Sequence, residues 1–296
     1  MLLNIHNTFE EVPDNLSLAY FQKGYFRSQS YSTFKSYCSE DFFIPFDITP
    51  EKAISIPRSP FGSFFCRSNE IKDPKYFIER VRDDLIKHGV NNIEIIHPSS
   101  IYRSFLSTEI IQSTGFNIEF EDINQHIDLS EEWVESIHNM QKRKLDALQS
   151  EGFEFRKMEK NEFETAHKFL SVCRQAQGLQ INISWEHLNN LIMELPDAYE
   201  CFGVFREDKI SVLCITVNVT TDIAYYYLPA TSPMFRDKSP MVLLISGLVS
   251  YYRSKGFKQL DMGVSSFQGK PQETLRIFKE RMGAKETVKP TFKLVL

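Results

Sequence analysis

Several stretches of the chain hold residue types that can do chemistry. In "LDMGVSS" an acid, Asp261, lies inside a short apolar segment, with Ser265 and Ser266 just beyond it. A helical pattern follows in which Arg276 and Lys279 are three residues apart and so share a face. Two cations beside a serine loop can hold a phosphate or a carboxylate, and the acid can serve as a general base. The plainer reading makes the cations a solvated basic face and the acid a structural hydrogen-bond acceptor. Upstream, "IAYYYLPA" reads as a strand whose alternation puts Tyr225 and Tyr227 on one face and Tyr226 on the other. A tyrosine here, Tyr226 foremost, can orient a substrate or relay a proton, or the three simply pack as strand aromatics. Lys238 and Ser239 precede a helix beginning near Pro240, either as a phosphate clamp or as an N-cap serine with proline at N1. Arg143 sits between two lysines in "QKRKL", a small cluster able to hold an anionic donor. Arg174 and Gln177 in "CRQAQG" suit a substrate contact or a helix cap.

The elements that must position these residues repeat. "IERVRDDLIKHGVNNIEIIHPSS" and "LISGLVSYYRSKGFKQLDMGVSS" each begin as a helix, with Ile78, Val81, Leu85 and Ile86 in one and Leu244, Leu248, Val249 and Tyr252 in the other. Each helix closes at a glycine, Gly89 or Gly256, suited to a left-handed cap. Each then enters a short apolar strand carrying an acid, Glu94 or Asp261. A second helix follows in both and ends at Gly115 or Gly283. The two landmark pairs are displaced by 167 and 168 residues. Such a long period means a duplicated domain, since solenoid repeats are far shorter.

Strand patterns complete each half. "DFFIPFDITPEKAISIPRSPFGSFF" reads as two strands around a turn. Cys201 to Arg206, Ile210 to Val219 and Ile223 to Leu228 read as three, with a turn at Glu207-Asp208. Between the halves, Ser130 opens a helix striped by Trp133, Ile137, Met140 and Leu148 and closed at Gly152. The expected fold class is α/β, with mixed, largely antiparallel sheets in two domains, 1–129 and 130–296.

Bulk properties narrow the function. The chain has 296 residues, 42% of them hydrophobic and 25% charged, which is globular composition with room for two domains. A net charge of −5 argues against a general DNA binder. The five cysteines form no C-x-x-C pair and read as reduced thiols of a cytoplasmic protein. The histidines show no metal-ligand spacing, so no metal is expected. The N-terminus lacks a signal-peptide pattern, and "MVLLISGLVSYY" is too short for a membrane span.

The order of elements in each half resembles the GNAT acyltransferase fold, and the duplicated form resembles the Fem-type peptidoglycan aminoacyltransferases and FemAB-like proteins. "NMQKRKLDALQSEGFEFRK" is similar to the family's basic helix leading to a glycine and a first strand. Arg174, Gln177 and Gly178 match its R-x-x-Q-G segment. "AYYYLPATSPMFRDKSPMVLLISGLVSYYRSKGF" is similar to its central strand and following helix. Phe278, Lys279, Gly283 and Ala284 match its F-K-x-x-x-G-A ending. The likeness is fuller from Glu131 onward than before it.

The resemblance implies N-acyl or aminoacyl transfer to an amine, in cell-envelope or polysaccharide assembly, with an acyl-CoA or an aminoacyl-tRNA as donor and a small molecule or cell-envelope precursor as substrate. Such a reaction needs a held donor, a deprotonated amine and donors for the tetrahedral oxyanion, which the fold supplies where its central strand splays from a neighbour. Two departures stand out. GNAT enzymes hold the coenzyme A pyrophosphate on a glycine-rich loop at a helix N-terminus, and "TSPMFRDKSPM" has no glycine there. No heptad run is long enough for a coiled-coil arm that would contact transfer RNA. The alternative is a non-catalytic ligand-binding protein of the same fold. Within the last helix, Leu275, Phe278 and Met282 are expected as the buried stripe, with Phe278 as its anchor.

Overall fold

The computed structural model describes residues 3–56, 58–68, 70–130, 132–178, 180–181 and 183–295. The chain forms two compact units. The first comprises Met1–Asn124, Ser266–Pro271 and Thr287–Leu296, and the second comprises Gln125–Ser265 and Gln272–Glu286.

In the first unit, strand β1 (Asn4–His6) and a short helix α1 (Lys23–Ser28) precede strands β2 (Phe34–Cys38) and β3 (Phe42–Ile48). Strands β4 (Lys52–Ile54), β5 (Phe65–Cys66), β6 (Asn92–Ile96) and β7 (Asn117–Asp128) follow, with helices α2 (Pro74–Lys87) and α3 (Thr108–Gln112) flanking β6. The strand order is β1-β2-β3-β4-β6-β15-β7, where β15 (Lys285–Val295) is the last strand of the chain, and β5 pairs with β3. Helix α2 starts where the Asp73 side chain accepts from the Tyr76 amide and Pro74 takes N1, and the chain leaves it through Gly89 at φ +83°. It buries Phe77, Ile78, Val81 and Leu85, whereas Ile86, expected in the stripe, is exposed.

The second unit holds β8 (Glu154–Met158), β9 (Tyr199–Arg206), β10 (Lys209–Asn218), β11 (Ile223–Thr231) and β12 (Gln259–Val264), in the order β12-β11-β10-β9-β8, with the end of β7 beside β12. Its helices are α4 (Trp133–Ser136), α5 (Asn139–Ser150), α6 (Phe163–Gln175), α7 (Trp185–Glu194), α8 (Met241–Ser254) and α9 (Glu273–Arg281). Between β12 and α9 runs a hairpin of β13 (Ser266–Phe267) and β14 (Lys270–Pro271). The single linking helix read from the sequence is two helices. Ile137 and His138 are extended, and His138 caps α5 by accepting from the Met140 amide. The β9–β10 hairpin turns at Glu207 and Asp208, both at positive φ, the geometry that matches strand twist. Helix α8 buries Leu244, Leu248, Val249 and Tyr252 as its spacing requires.

Both units are mixed, largely antiparallel α/β sheets, and in each a parallel pairing is found at the matching place among the described residues. In the first, β4 and β6 pair through Ala53↔Ile93 and Ile54↔Glu94; in the second, β11 and β12 pair through Ala224↔Leu260 and Tyr225↔Asp261. Glu94 and Asp261 are the two strand acids of the sequence repeat. Gly115 and Gly283 likewise both adopt positive φ, +97° and +80°. The compact units do not divide at one point in sequence, because most of β15 and the end of β7 each count with the unit of the other half. Most of β15 counts with the first unit, antiparallel to β6 through Phe292↔Ile95, and residues 125–128 of β7 count with the second.

Candidate functional site

The site is built where β11 leaves β12. Strands β10 and β11 pair in register until a shift, with Thr216 opposite Tyr226 but Ile215 opposite Leu228, so that Tyr227 is the extra residue of a bulge. The parallel ladder to β12 ends at Tyr225↔Asp261, although β11 continues to Thr231 and β12 to Val264. The gap beyond this last pair is the splay expected of the fold.

Tyr226 faces the core that holds Val242, Ile245 and Val249 of α8, and its hydroxyl donates to the Met241 sulfur. It is therefore not brought to Asp261. Tyr225 takes that place, with its ring 6.2 Å from that of Tyr227 on the opposite face. Burial, and then the nearby Asp261 carboxylate, push the Tyr225 phenol well above its ordinary range, so it stays protonated.

Asp261 is 2% exposed, and its carboxylate accepts from the Gly263 amide at 2.9 Å. Gly263 has φ +71°, and a Cβ there would stand 3.1 Å from the Tyr225 hydroxyl oxygen. Glycine is thus required twice, for its backbone and for the ring it admits. Gly263→Ala is expected to destabilise the protein by about 1–2 kcal/mol from the left-handed backbone alone and to move Tyr225. Denaturant unfolding and tyrosine fluorescence check this, and an unchanged midpoint with unchanged emission would contradict it.

Lys279 comes to the same place from α9. It is 4% exposed and donates to the carbonyls of Gly263 and Val264, both at 2.9 Å. Burial pulls its ammonium down to about 8, with Asp261 opposing the shift. His126, on the part of β7 in this unit, is 8% exposed, and its Nδ1 is buried with no hydrogen-bond partner among the described residues. Burial lowers its pKa while Asp261 and then Asp128 raise it. A carboxylate, an ammonium that titrates at about 8, an imidazole whose pKa burial lowers and a phenol therefore meet at the splay. Sequence reasoning missed His126. The signal was the run Asn124-Gln125-His126, buried polar residues that break the alternation of β7.

The other residues singled out from sequence lie elsewhere or are engaged. Ser265 is fully buried and donates to Gln125 Oε1 at 2.6 Å, which in turn holds the Arg276 carbonyl through Nε2. In the first unit, Ser266 donates to Asp122, which also takes the Gly269 amide. Arg276 does not share a face with Lys279 in the expected way. Its guanidinium is on the surface, bound to Glu286 by Nε at 2.6 Å and to Glu273 at 3.4 Å. The buried side of α9 is Lys279 and Met282, whereas Leu275 is exposed and Phe278 is half-buried against the core. The FKxxxGA segment turns its lysine inward, and the helix rotates accordingly. Arg143 is exposed on α5, Arg174 half-buried near the end of α6, and Gln177 exposed in the turn after it.

The start of α8 does not fit a pyrophosphate in the manner of a glycine-rich loop. Such a loop offers free amides at the helix N-terminus. Here the Val242 amide bonds the Ser239 carbonyl, and those of Leu243 and Leu244 bond Pro240. Ser239 occupies the left-handed region at φ +57°, and its hydroxyl receives Lys144 at 3.0 Å. Lys238 is paired with Glu151 at 2.8 Å. Acetyl coenzyme A should accordingly bind on the order of millimolar or more weakly, and micromolar binding by calorimetry would restore an ordinary pyrophosphate site.

Comparison with known proteins bears on the fold. Residues 137–270 match the Acetyltransferase (GNAT) domain family. This segment is similar to that family. The whole chain has the tandem GNAT-like fold. It superposes on the crystal structure of FemX with a TM-score of 0.68 at 12% identity, over 100% of this chain and 98% of that one. The C-terminal domain of a putative lysylphosphatidylglycerol synthetase from Agrobacterium fabrum gives 0.63 at 13% identity, over 88% and 83%. A tandem GNAT protein from the clavulanic acid biosynthesis pathway gives 0.51 at 8% identity, over 99% and 98%. No curated protein matches the chain in sequence. Among the described residues no group of three or more His, Cys, Asp or Glu could hold a metal ion, and no helix is long and apolar enough to cross a membrane.

Proposed function

We propose that the GNAT domain transfers an aminoacyl or other acyl group to an amine at the splay between β11 and β12, with an aminoacyl ester as the favoured donor. The observation that carries this reading is Lys279, a buried ammonium with a lowered pKa set beside Asp261 at the position where the fold performs acyl transfer. The solved relative named as a lysylphosphatidylglycerol synthetase supports an aminoacyl group, and the occupied start of α8 disfavours a coenzyme A ester. Asp261 would accept the proton of the attacking amine. The amine nitrogen then bonds to the acyl carbon, the bond from that carbon to the leaving oxygen breaks, and Lys279 gives the leaving oxygen its proton. Tyr225, kept protonated, would donate a hydrogen bond to the tetrahedral oxyanion. His126, its pKa lowered by burial, adds no charge beside Asp261.

The second reading, a binding protein that keeps the fold without transfer, is favoured by the two carbonyls that Lys279 already serves. One assay separates the two. Hydroxylamine serves as a general amine acceptor, and hydroxamate formation is followed from mixed aminoacyl-tRNA and from acetyl coenzyme A. Transfer predicts a protein-dependent rate with aminoacyl-tRNA that falls in Asp261→Asn, which keeps an oxygen for the Gly263 amide. No protein-dependent rate with either donor supports the binding protein instead.

A further inference from the structure

The first unit has a cavity of its own at the place matching the splay. It lies just past the end of β6, where the parallel ladder from β4 stops, and encloses about 460 Å³, a size common to small-molecule sites. His97 forms part of its wall and is 7% exposed. Ser63 holds its Nδ1 at 2.9 Å, and among the described residues no partner takes Nε2. Burial pulls the imidazole down to about 4, so it is neutral at physiological pH. Tyr102, Phe105 and Val288 give the cavity an apolar side, and the His97 ring meets Phe105 edge-on at 6.2 Å. Arg103 and Glu121 both line the opening and are exposed. They are not paired with each other, and among the described residues no ion pair neutralises either.

Two opposite charges left apart around an apolar wall match a ligand that carries both charges and an apolar body. We infer that this cavity binds a zwitterionic α-amino acid with an apolar side chain, its carboxylate on Arg103, its ammonium on Glu121 and its side chain against Tyr102, Phe105 and Val288. His97 Nε2 adds a neutral hydrogen bond, which leaves the ligand's two charges to the surface pair. Charge-assisted bonds of this kind carry orientation as well as affinity. The inference concerns the first unit alone and stands apart from the transfer reading.

Calorimetry on the full chain tests it with L-phenylalanine and L-leucine, and with phenethylamine and 3-phenylpropionate as analogues carrying one charge each. At least one amino acid should bind saturably at about millimolar or tighter. Each analogue should bind at least about 10-fold more weakly than L-phenylalanine, and Arg103→Gln and Glu121→Gln should each weaken the amino acid by a similar factor. Both positions are exposed, so the variants should remain folded. Lys279→Met should leave this binding unchanged. The inference is overturned if neither amino acid gives saturable heat, if the analogues or the two surface variants bind as the parent does, or if Lys279→Met abolishes the signal.

Discussion

Lys279→Met lowers transfer by at least about 100-fold, the usual effect of removing a positioned acid or a charge that meets the developing oxyanion. Methionine has nearly the length of lysine and suits the apolar side of α9, so the variant should fold. It leaves the Gly263 and Val264 carbonyls without the ammonium that now bonds both. The loss should fall on kcat, because the interaction strengthens as the acyl carbon becomes tetrahedral. If the lysine acts as the acid, the parent's rate should decline as pH rises through about 8, the value to which burial brings this side chain. A variant with the parent's kcat would reduce Lys279 to a strut between β12 and α9.

The same lysine gives stability a defined pH dependence. In the unfolded chain its pKa is ordinary, about 10.4, and in the folded protein it is about 8. Below about 8 both states hold the proton. Between the two values the unfolded state binds more protons at this group, so stability rises with pH. The stability of the parent minus that of Lys279→Met should therefore be flat near neutrality and grow through this window, by up to roughly 3 kcal/mol. Taking the difference removes the titrations that the two proteins share. Urea unfolding at several pH values measures it, and a difference that stays constant or shrinks above pH 8 would show that the ammonium is not desolvated.

The repeat was legible because its signals are local. Helix periodicity, a closing glycine and an acid on a short strand each come from neighbouring residues, and Gly89, Gly256, Gly115 and Gly283 all take the positive φ that their positions implied. The placement of β15 was not legible, since nothing near Lys285–Val295 in sequence says that it will pair with β6. The site was partly legible for the same reason. Asp261 and Lys279 stand out as types, but spacing alone made Lys279 a partner of Arg276. Whether a lysine at a given helical position turns inward depends on carbonyls sixteen and fifteen residues away, on Gly263 and Val264. Glu286 and Glu273, which neutralise Arg276, lie on either side of it in sequence, and their charges could have been weighed. Tyr226 rather than Tyr225 looked central because a strand's alternation has two faces, and only the packing of α8 says which face is the core.

Gly247→Ala is expected to destabilise the second unit by about 1–3 kcal/mol, the range for overpacking a closed contact, although propensity alone predicts the reverse. Alanine in a helix interior is favoured over glycine by about 1 kcal/mol, and Gly247 lies within α8 with no turn or left-handed backbone to require it. The reason is its neighbour. A Cβ at this position would meet Phe155 Cδ2 and Cγ closer than any real contact allows. Phe155 cannot move freely, because its ring stacks on Phe202, with centroids 5.7 Å apart and planes 8° apart. Phe202 is fully buried and also meets Tyr251 edge-on at 4.8 Å. Adding the methyl group must shift Phe155, then the stack, and with it the seat of α8 on β8 and β9. Shortening the obstacle should reverse the sign. In a Phe155→Leu background the methyl group finds room and the helix preference re-emerges, so Gly247→Ala should become neutral or stabilising. Guanidinium unfolding of the parent, both single variants and the double variant gives the coupling energy directly. A coupling near zero, or a single Gly247→Ala as stable as the parent, would mean that α8 and Phe155 do not touch as described.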